Sequence, residues 1–246
     1  MKAWDIFSHS VRLVWRNRWD ALRISGALYA AYAVVQVIFL GSGTSPNGVE
    51  GDVTQMAPEE LSTLFFAVLL QSVVTLWIAV AWHRFVLLEE YPAGWLPQFH
   101  GGAIFNYFWR SVAIVLAITL AIMVPVTLLV AIAPILSVFA GFAALFLAIV
   151  MGFRLAPALP AAAMGQPVGF RDVWSATEGQ TGTAIALAFI GVFAAFVIQL
   201  PVFVVSAISP DLGNVLFIVL NWFVTLVSAS ILTTLFGHYV QGRPIE

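Results

Sequence analysis

Six apolar runs dominate the chain, at 22–40, 61–82, 111–133, 135–153, 183–207 and 212–236. Each is continuous rather than alternating. A membrane β-barrel needs short strands of period two, whereas a spanning helix needs roughly 20 apolar residues in a row. The pattern therefore predicts an all-α, polytopic membrane protein of about six transmembrane helices. The third and fourth runs are parted only by Ala133-Pro134, and the fifth and sixth by Ser209-Pro210-Asp211. Proline beside small or polar residues at those points predicts tight hairpins.

Between the runs the polar pattern has helical period. In 3–19, Trp4, Phe7, Val11, Val14 and Trp15 fall on one side, while Lys2, Arg12 and Arg16 fall towards the other. That is the signature of a basic amphipathic helix lying in an anionic lipid surface. The segments 95–110 and 168–178 have a similar make-up: Trp95, Phe99, Phe105, Phe108 and Trp109 in the first, Phe170, Val173, Trp174 and Thr177 in the second. Together these predict one integral membrane domain over 1–246, built as three helix-pair repeats at 1–84, 95–154 and 168–239. Each repeat would open with an interfacial helix. Pro125 and Pro201 occupy matching depths in the third and fifth runs. Ala140, Ala144, Ala148 and Gly152 recur every four residues, a spacing that permits close helix contact.

Charge sets the orientation. All ten Lys and Arg lie on one side of the six-helix map, and 41–60, 131–137 and 208–213 contain none. The basic side is the cytoplasmic side, so both termini are expected in the cytoplasm of a bacterium, with the first helix uncleaved. Composition agrees: 61% of the residues are apolar and 9% charged, against about 25% charged in soluble domains. The net charge of −2 leaves no nucleic-acid footprint, and the lack of cysteine excludes disulfides and thiolate chemistry.

Two segments carry a family resemblance. They are Ala81-Trp82-His83-Arg84-Phe85-Val86-Leu87-Leu88-Glu89, and Phe153-Arg154-Leu155-Ala156-Pro157-Ala158-Leu159-Pro160-Ala161-Ala162-Ala163 followed by Phe170 to Gly179. They are similar to those of bacterial six-helix inner-membrane proteins related to the YciC family and to the membrane domain of glycerophosphoryl diester phosphodiesterases. The resemblance implies an inner-membrane location and supplies no catalytic residues. Those phosphodiesterases carry a separate catalytic barrel of roughly 250 residues, and no stretch of this chain is polar enough to form one.

Candidate chemistry is sparse. His83-Arg84 imitates part of a catalytic pair but lacks a carboxylate cluster. A lipid-active enzyme using His83, Arg84 and Glu89 is therefore a weak rival. Arg84 and Arg154 end two returning helices beside aromatic residues. With His83 and Tyr239 they are expected to form a lipid-headgroup site on one cytoplasmic rim. Gln36, Gln71, Gln199 and Asn221 are the midplane amides, suited to packing between helices or to lining a pathway. His9, His83, His100 and His238 have no metal-ligand spacing, so neither metal nor cofactor is expected. The reading is a non-enzymatic inner-membrane protein that binds or organises lipids, anionic ones included, or other membrane proteins, with homo-oligomers among the partners. The alternative is a small repeat-built transporter or flippase for an amphipathic substrate.

Overall fold

The computed structural model describes residues 2–39 and 58–245, with the side chains of 36–39, 60 and 134 excepted. Among these residues there is no strand. The helices are α1 (Lys2–Arg16), α2 (Arg18–Phe39), α3 (Pro58–Leu88), α4 (Gly101–Ile132), α5 (Ser137–Leu155), α6 (Ala158–Ala163), α7 (Phe170–Ala176), α8 (Thr181–Ile208) and α9 (Pro210–Tyr239). Five stretches are long and apolar enough to cross a membrane: Leu61–Leu88, Gly101–Ile132, Ser137–Ala163, Thr181–Ile208 and Pro210–Tyr239. In lipid the backbone must satisfy its own hydrogen bonds, so such runs can only be helical. The protein is a polytopic all-α membrane protein. Six spans are expected from the sequence; the sixth expected span, at 22–40, coincides with α2 and runs beyond the residues whose side chains are described.

The two tight hairpins form where proline dictates. Ala133 (φ −141°, ψ 78°) and Ser209 (φ −149°, ψ 113°) both leave the helical region, as a residue before proline is pushed to do, and Ser209 is fully extended. Pro134 then opens a short 3-10 turn into α5, and Pro210 opens α9, where its missing N–H costs nothing. Pro125 and Pro201 each lie seven residues before their helix ends, at Ile132 and Ile208, and nine residues before the hairpin proline. At the α8–α9 crossing Gly213 is required: a Cβ there would lie 2.7 Å from Ser206 Cα.

One expected element takes a different form. The second interfacial helix, at 95–110, is not a separate element. Residues 95–100 are non-helical, and Gly101 to Arg110 are the opening turns of α4. Gly102, Ala103 and Ile104 offer no break, so the apolar run extends its helix backwards through them. The third, α7, is a helix of seven residues.

Burial is concentrated at one end of the bundle. In α3 the buried side chains cluster from Val74 to Leu87, with Ala67 the one exception among the described residues before them, whereas Phe65, Phe66, Leu69 and Leu70 are exposed. In α9 they run from Leu226 to Gly237, apart from Gly213 at the far hairpin. Between these, α6 is a plug of small residues: Ala158, Pro160, Ala161, Ala162 and Ala163 are all buried against α3, α4 and α9. The other halves of α4, α5 and α8 present Leu120, Met123, Phe142, Phe146, Phe193 and Phe196 outwards, as lipid-facing surfaces do. The alanine stripe of α5 lies partly against α4: Ala140 is buried, and a Cβ on Gly152 would touch Ile118.

Candidate functional site

Helix α9 is the hub, and it pairs with its neighbours through one repeated device. A hydroxyl donates back to the carbonyl four residues earlier on its own helix, and its oxygen then accepts across the interface. Ser25 donates to the Ala21 carbonyl (2.6 Å) and accepts from Trp222 Nε1 (2.8 Å). Ser230 donates to Leu226 (2.8 Å) and accepts from Trp82 Nε1 (2.9 Å). Ser10, bonded to Ile6 (2.7 Å), lies 3.1 Å from Thr234 Oγ1. Asn221 Nδ2 donates to the Tyr29 hydroxyl (3.1 Å). Such contacts contribute about 0.6 kcal/mol each on average within membranes. Their main effect is to fix which helix faces which.

His83 belongs to this spine. It is fully buried, with Nδ1 2.8 Å from Thr233 Oγ1 and Nε2 3.3 Å from the Tyr107 hydroxyl. Thr233 gives its proton to the Ala229 carbonyl (2.8 Å). Its oxygen must therefore accept, which assigns the ring proton to Nδ1 and leaves Nε2 to accept from Tyr107. Tyr107 also stacks on the ring at 5.6 Å. His83 thus joins α3, α9 and α4 inside the core.

The arginines expected at the rim terminate helices. Arg84 Nε and an Nη hold Glu90 Oε2 (2.8 and 2.7 Å), and its other Nη donates to the Ala163 carbonyl at the end of α6 (3.1 Å). Arg154 donates to the Trp174 carbonyl in α7 (2.7 Å) and lies 3.8 Å over the Trp174 ring. Arg110 donates to the Ala158 and Val168 carbonyls (3.3 and 2.6 Å). Arg243 reaches the Leu87 carbonyl at the end of α3 (3.5 Å). Unpaired carbonyls at helix ends carry partial negative charge, so a guanidinium is a natural cap. Of the expected headgroup residues, Arg84 and Arg154 have separate partners. His83 lies in the core, and the Tyr239 hydroxyl donates to Gln180 Oε1 (3.2 Å). The amides are likewise dispersed. Asn221 bonds Tyr29, Gln71 is engaged, Gln199 is half-buried in α8, and the Gln36 side chain lies outside the described residues. Glu89 is exposed at a left-handed turn (φ 56°), away from the His83 network.

A second consequence of Arg84 is a strap. Glu90, held by Arg84, also meets His100 Nε2 (3.3 Å), and His100 Nδ1 donates to the Gln98 carbonyl (3.2 Å). These contacts tie 89–100 to the bundle. Around them is a cavity of about 270 Å³ lined by Ile24, Ala81, Tyr91, Pro92, Leu96 and Pro97.

Sequence reasoning missed the largest feature. Helix α1 buries Ala3, Ile6, Ser10 and Val14 against α8 and α9. Trp4 (57% exposed) and Trp15 (64%) form a second edge, and His9, Arg12 and Arg16 a third. The chain after α9 hooks back: Arg243 N–H donates to the Gly237 carbonyl (2.8 Å), Gly242 takes φ 69°, and His238 Nδ1 donates to the Arg243 carbonyl (3.1 Å). Between α1 and this hook is a cavity of about 290 Å³, walled by His9, Leu13, Val86, Leu87, Thr233, Thr234, Gly237, His238, Arg243, Pro244 and Ile245. It adjoins a second, of about 230 Å³, formed by His9, Arg12, Leu13, Arg16 and Asn17. Five basic side chains line this double cleft, and no carboxylate does. Asp5, on the same face of α1, is one turn away. The signal lay in the spacing of His9, Arg12 and Arg16; nothing in the sequence linked it to residues 230 positions later.

Comparison with known proteins finds no matching family model, no matching curated protein and no matching solved structure. The site must therefore be read from its chemistry. It has no group of three His, Asp or Glu poised for a metal among the described residues. Its polar lining combines three guanidinium groups, two imidazoles, the Thr233 and Thr234 hydroxyls and the Asn17 amide.

Proposed function

We infer that this is a non-enzymatic inner-membrane protein that binds and organises lipid at the cytoplasmic face. It spans six times as three hairpins, with α2 the first span and both termini cytoplasmic. The observation that carries the reading is the division of α1 into three edges: one against the bundle, one of exposed tryptophans, one basic. A helix at a lipid surface needs all three. An aromatic edge sits at headgroup depth, and each base near an anionic leaflet contributes about 1 kcal/mol. The ten bases support the orientation. Arg84, Arg110, Arg154 and Arg243 all bond within the end layer of the bundle where α6 and α7 lie, and the hairpins at Ala133 and Ser209 carry none. The resemblance of two segments to YciC-type proteins adds an expectation of inner-membrane location only.

Native mass spectrometry of the gently extracted protein tests it. Anionic phospholipid should travel with the wild type, and an Arg12→Glu/Arg16→Glu variant should lose it. A protein that leaves the membrane bare of phospholipid under gentle extraction overturns the reading. Topology has its own test, made clean by the absence of cysteine. Asp211→Cys should label with an impermeant thiol reagent in intact cells, and Pro92→Cys should not; the reverse pattern inverts the orientation.

A second reading, a small transporter, is favoured by the hairpins. Pro125 with Pro134 and Pro201 with Pro210 repeat one spacing, which supports a duplicated helix pair of the kind transporters are built from, although α4 and α8 run unbroken through Pro125 and Pro201. Uptake of amphipathic substrate by reconstituted vesicles would support it.

A further inference from the structure

We propose that the double cleft between α1 and the C-terminal hook is a binding site for a phosphate group, carried by a lipid headgroup or by a soluble phosphate compound. The argument is one of charge and shape. Guanidinium presents paired N–H donors that match phosphate oxygens, and imidazole adds a further donor. Here Arg12, Arg16, Arg243, His9 and His238 converge from both ends of the chain on adjoining cavities of about 290 and 230 Å³, large enough for a phosphate with its first substituents. The convergence is built. The hook exists because Gly242 turns left-handed and Arg243 returns its N–H to Gly237. The α1 wall is fixed by Ser10 against Thr234. His238 spends Nδ1 on the Arg243 carbonyl, which leaves Nε2 as its remaining polar atom. His9, Arg12 and Arg243 already have partners, the last through the Leu87 carbonyl, so an incoming phosphate exchanges contacts rather than filling a vacancy.

The cleft differs from diffuse surface charge in a testable way. Lys2, Arg18 and Arg23 lie at the same end of the bundle and do not line it. The lipid source rests on the function inferred above; the phosphate site itself does not. Three full-length proteins in detergent are compared: wild type, Arg12→Gln/Arg16→Gln/Arg243→Gln, and Lys2→Gln/Arg18→Gln/Arg23→Gln. Binding of inorganic phosphate is measured by calorimetry, and retained phosphatidylglycerol by native mass spectrometry. The cleft variant should lose about a thousandfold in affinity, at about tenfold for each of three charge-assisted donors. The control variant, of equal charge, should lose little. If the cleft variant fails to fold, the Arg→Lys version at the same three positions replaces it, with a loss of several-fold because the fork is gone while charge remains. Phosphate binding abolished by the cleft variant, with phosphatidylglycerol equal in all three, supports the site and rejects the lipid source. Loss of both supports both. Equal loss in control and cleft variants, or no phosphate and no phosphatidylglycerol bound by the wild type, overturns the proposal.

Discussion

The contact between His83 and Tyr107 gives the most exacting test of the buried spine. Replacing His83 with Phe keeps a ring of similar size stacked on Tyr107, but removes two hydrogen bonds, at 2.8 Å to Thr233 and 3.3 Å to Tyr107. Thr233 still donates to Ala229, so it is not orphaned. The Tyr107 hydroxyl is, and it is buried. The lost Thr233 bond costs about 1 kcal/mol, and stranding the buried Tyr107 hydroxyl about 1–3 kcal/mol. The single variant should therefore lose about 2–4 kcal/mol. Tyr107→Phe strands Nε2 and should lose about 1–2 kcal/mol. In the double variant neither orphan exists, so its loss should fall short of the sum by about 1–2 kcal/mol. Reversible unfolding in mixed detergent micelles, followed by circular dichroism across the four proteins, measures that coupling. Additivity within about 0.5 kcal/mol would mean the two groups do not interact. A His83→Phe loss below about 0.5 kcal/mol would place the imidazole at a surface, not in the core.

The hairpin glycine and the strap extend the test to other regions. Gly213→Ala puts a methyl against the Ser206 backbone. Overpacking of about 1–3 kcal/mol should outweigh a helix-propensity gain of about 1 kcal/mol, giving a net loss in the same unfolding assay. Gly191→Ala, with open space around its Cβ, should be neutral or stabilising, and equal effects at the two positions would refute the close crossing. Arg84→Ala removes both the Glu90 pair and the cap on α6. Segment 89–100 should then be cut faster by protease, with Arg84→Lys intermediate; an unchanged cleavage rate would show that the strap does not hold the loop.

Much of the membrane architecture was legible because lipid imposes a simple rule: long apolar runs become helices, and Ala133-Pro134 or Ser209-Pro210 ends them. Five of the six expected spans stand on that rule. The sixth, α2, runs past the residues whose side chains are described. The segment 95–110 misled because amphipathic spacing cannot say whether a helix lies flat or continues into the next run; at Gly101 it continues. Arg84 and Arg154 were visible as arginines at helix ends, but the Ala163 and Trp174 carbonyls they reach leave no trace in a sequence; the pairing of Arg84 with nearby Glu90 is a local contact. His83 read as polar and therefore peripheral. Its burial depends on Thr233 and Tyr107 from two other helices, a coincidence that only three-dimensional packing supplies. The cleft was hidden for the same reason, being assembled from residues 9–17 and 233–245.

The order of synthesis gives the spine a further meaning. Ser10, Ser25, Tyr29, Trp82 and His83 are all made before the helix that supplies their partners, since Thr234, Trp222, Asn221, Ser230 and Thr233 lie in α9. Until the ribosome has delivered α9, Trp82 and His83 sit in the bilayer with polar atoms that only α9 satisfies, and α1 lacks the groove into which it packs. The early helices are then inserted but not assembled. A chain halted before residue 210 would present those unmet groups to the lipid, a ready mark by which membrane proteases could tell an unfinished copy from a complete one.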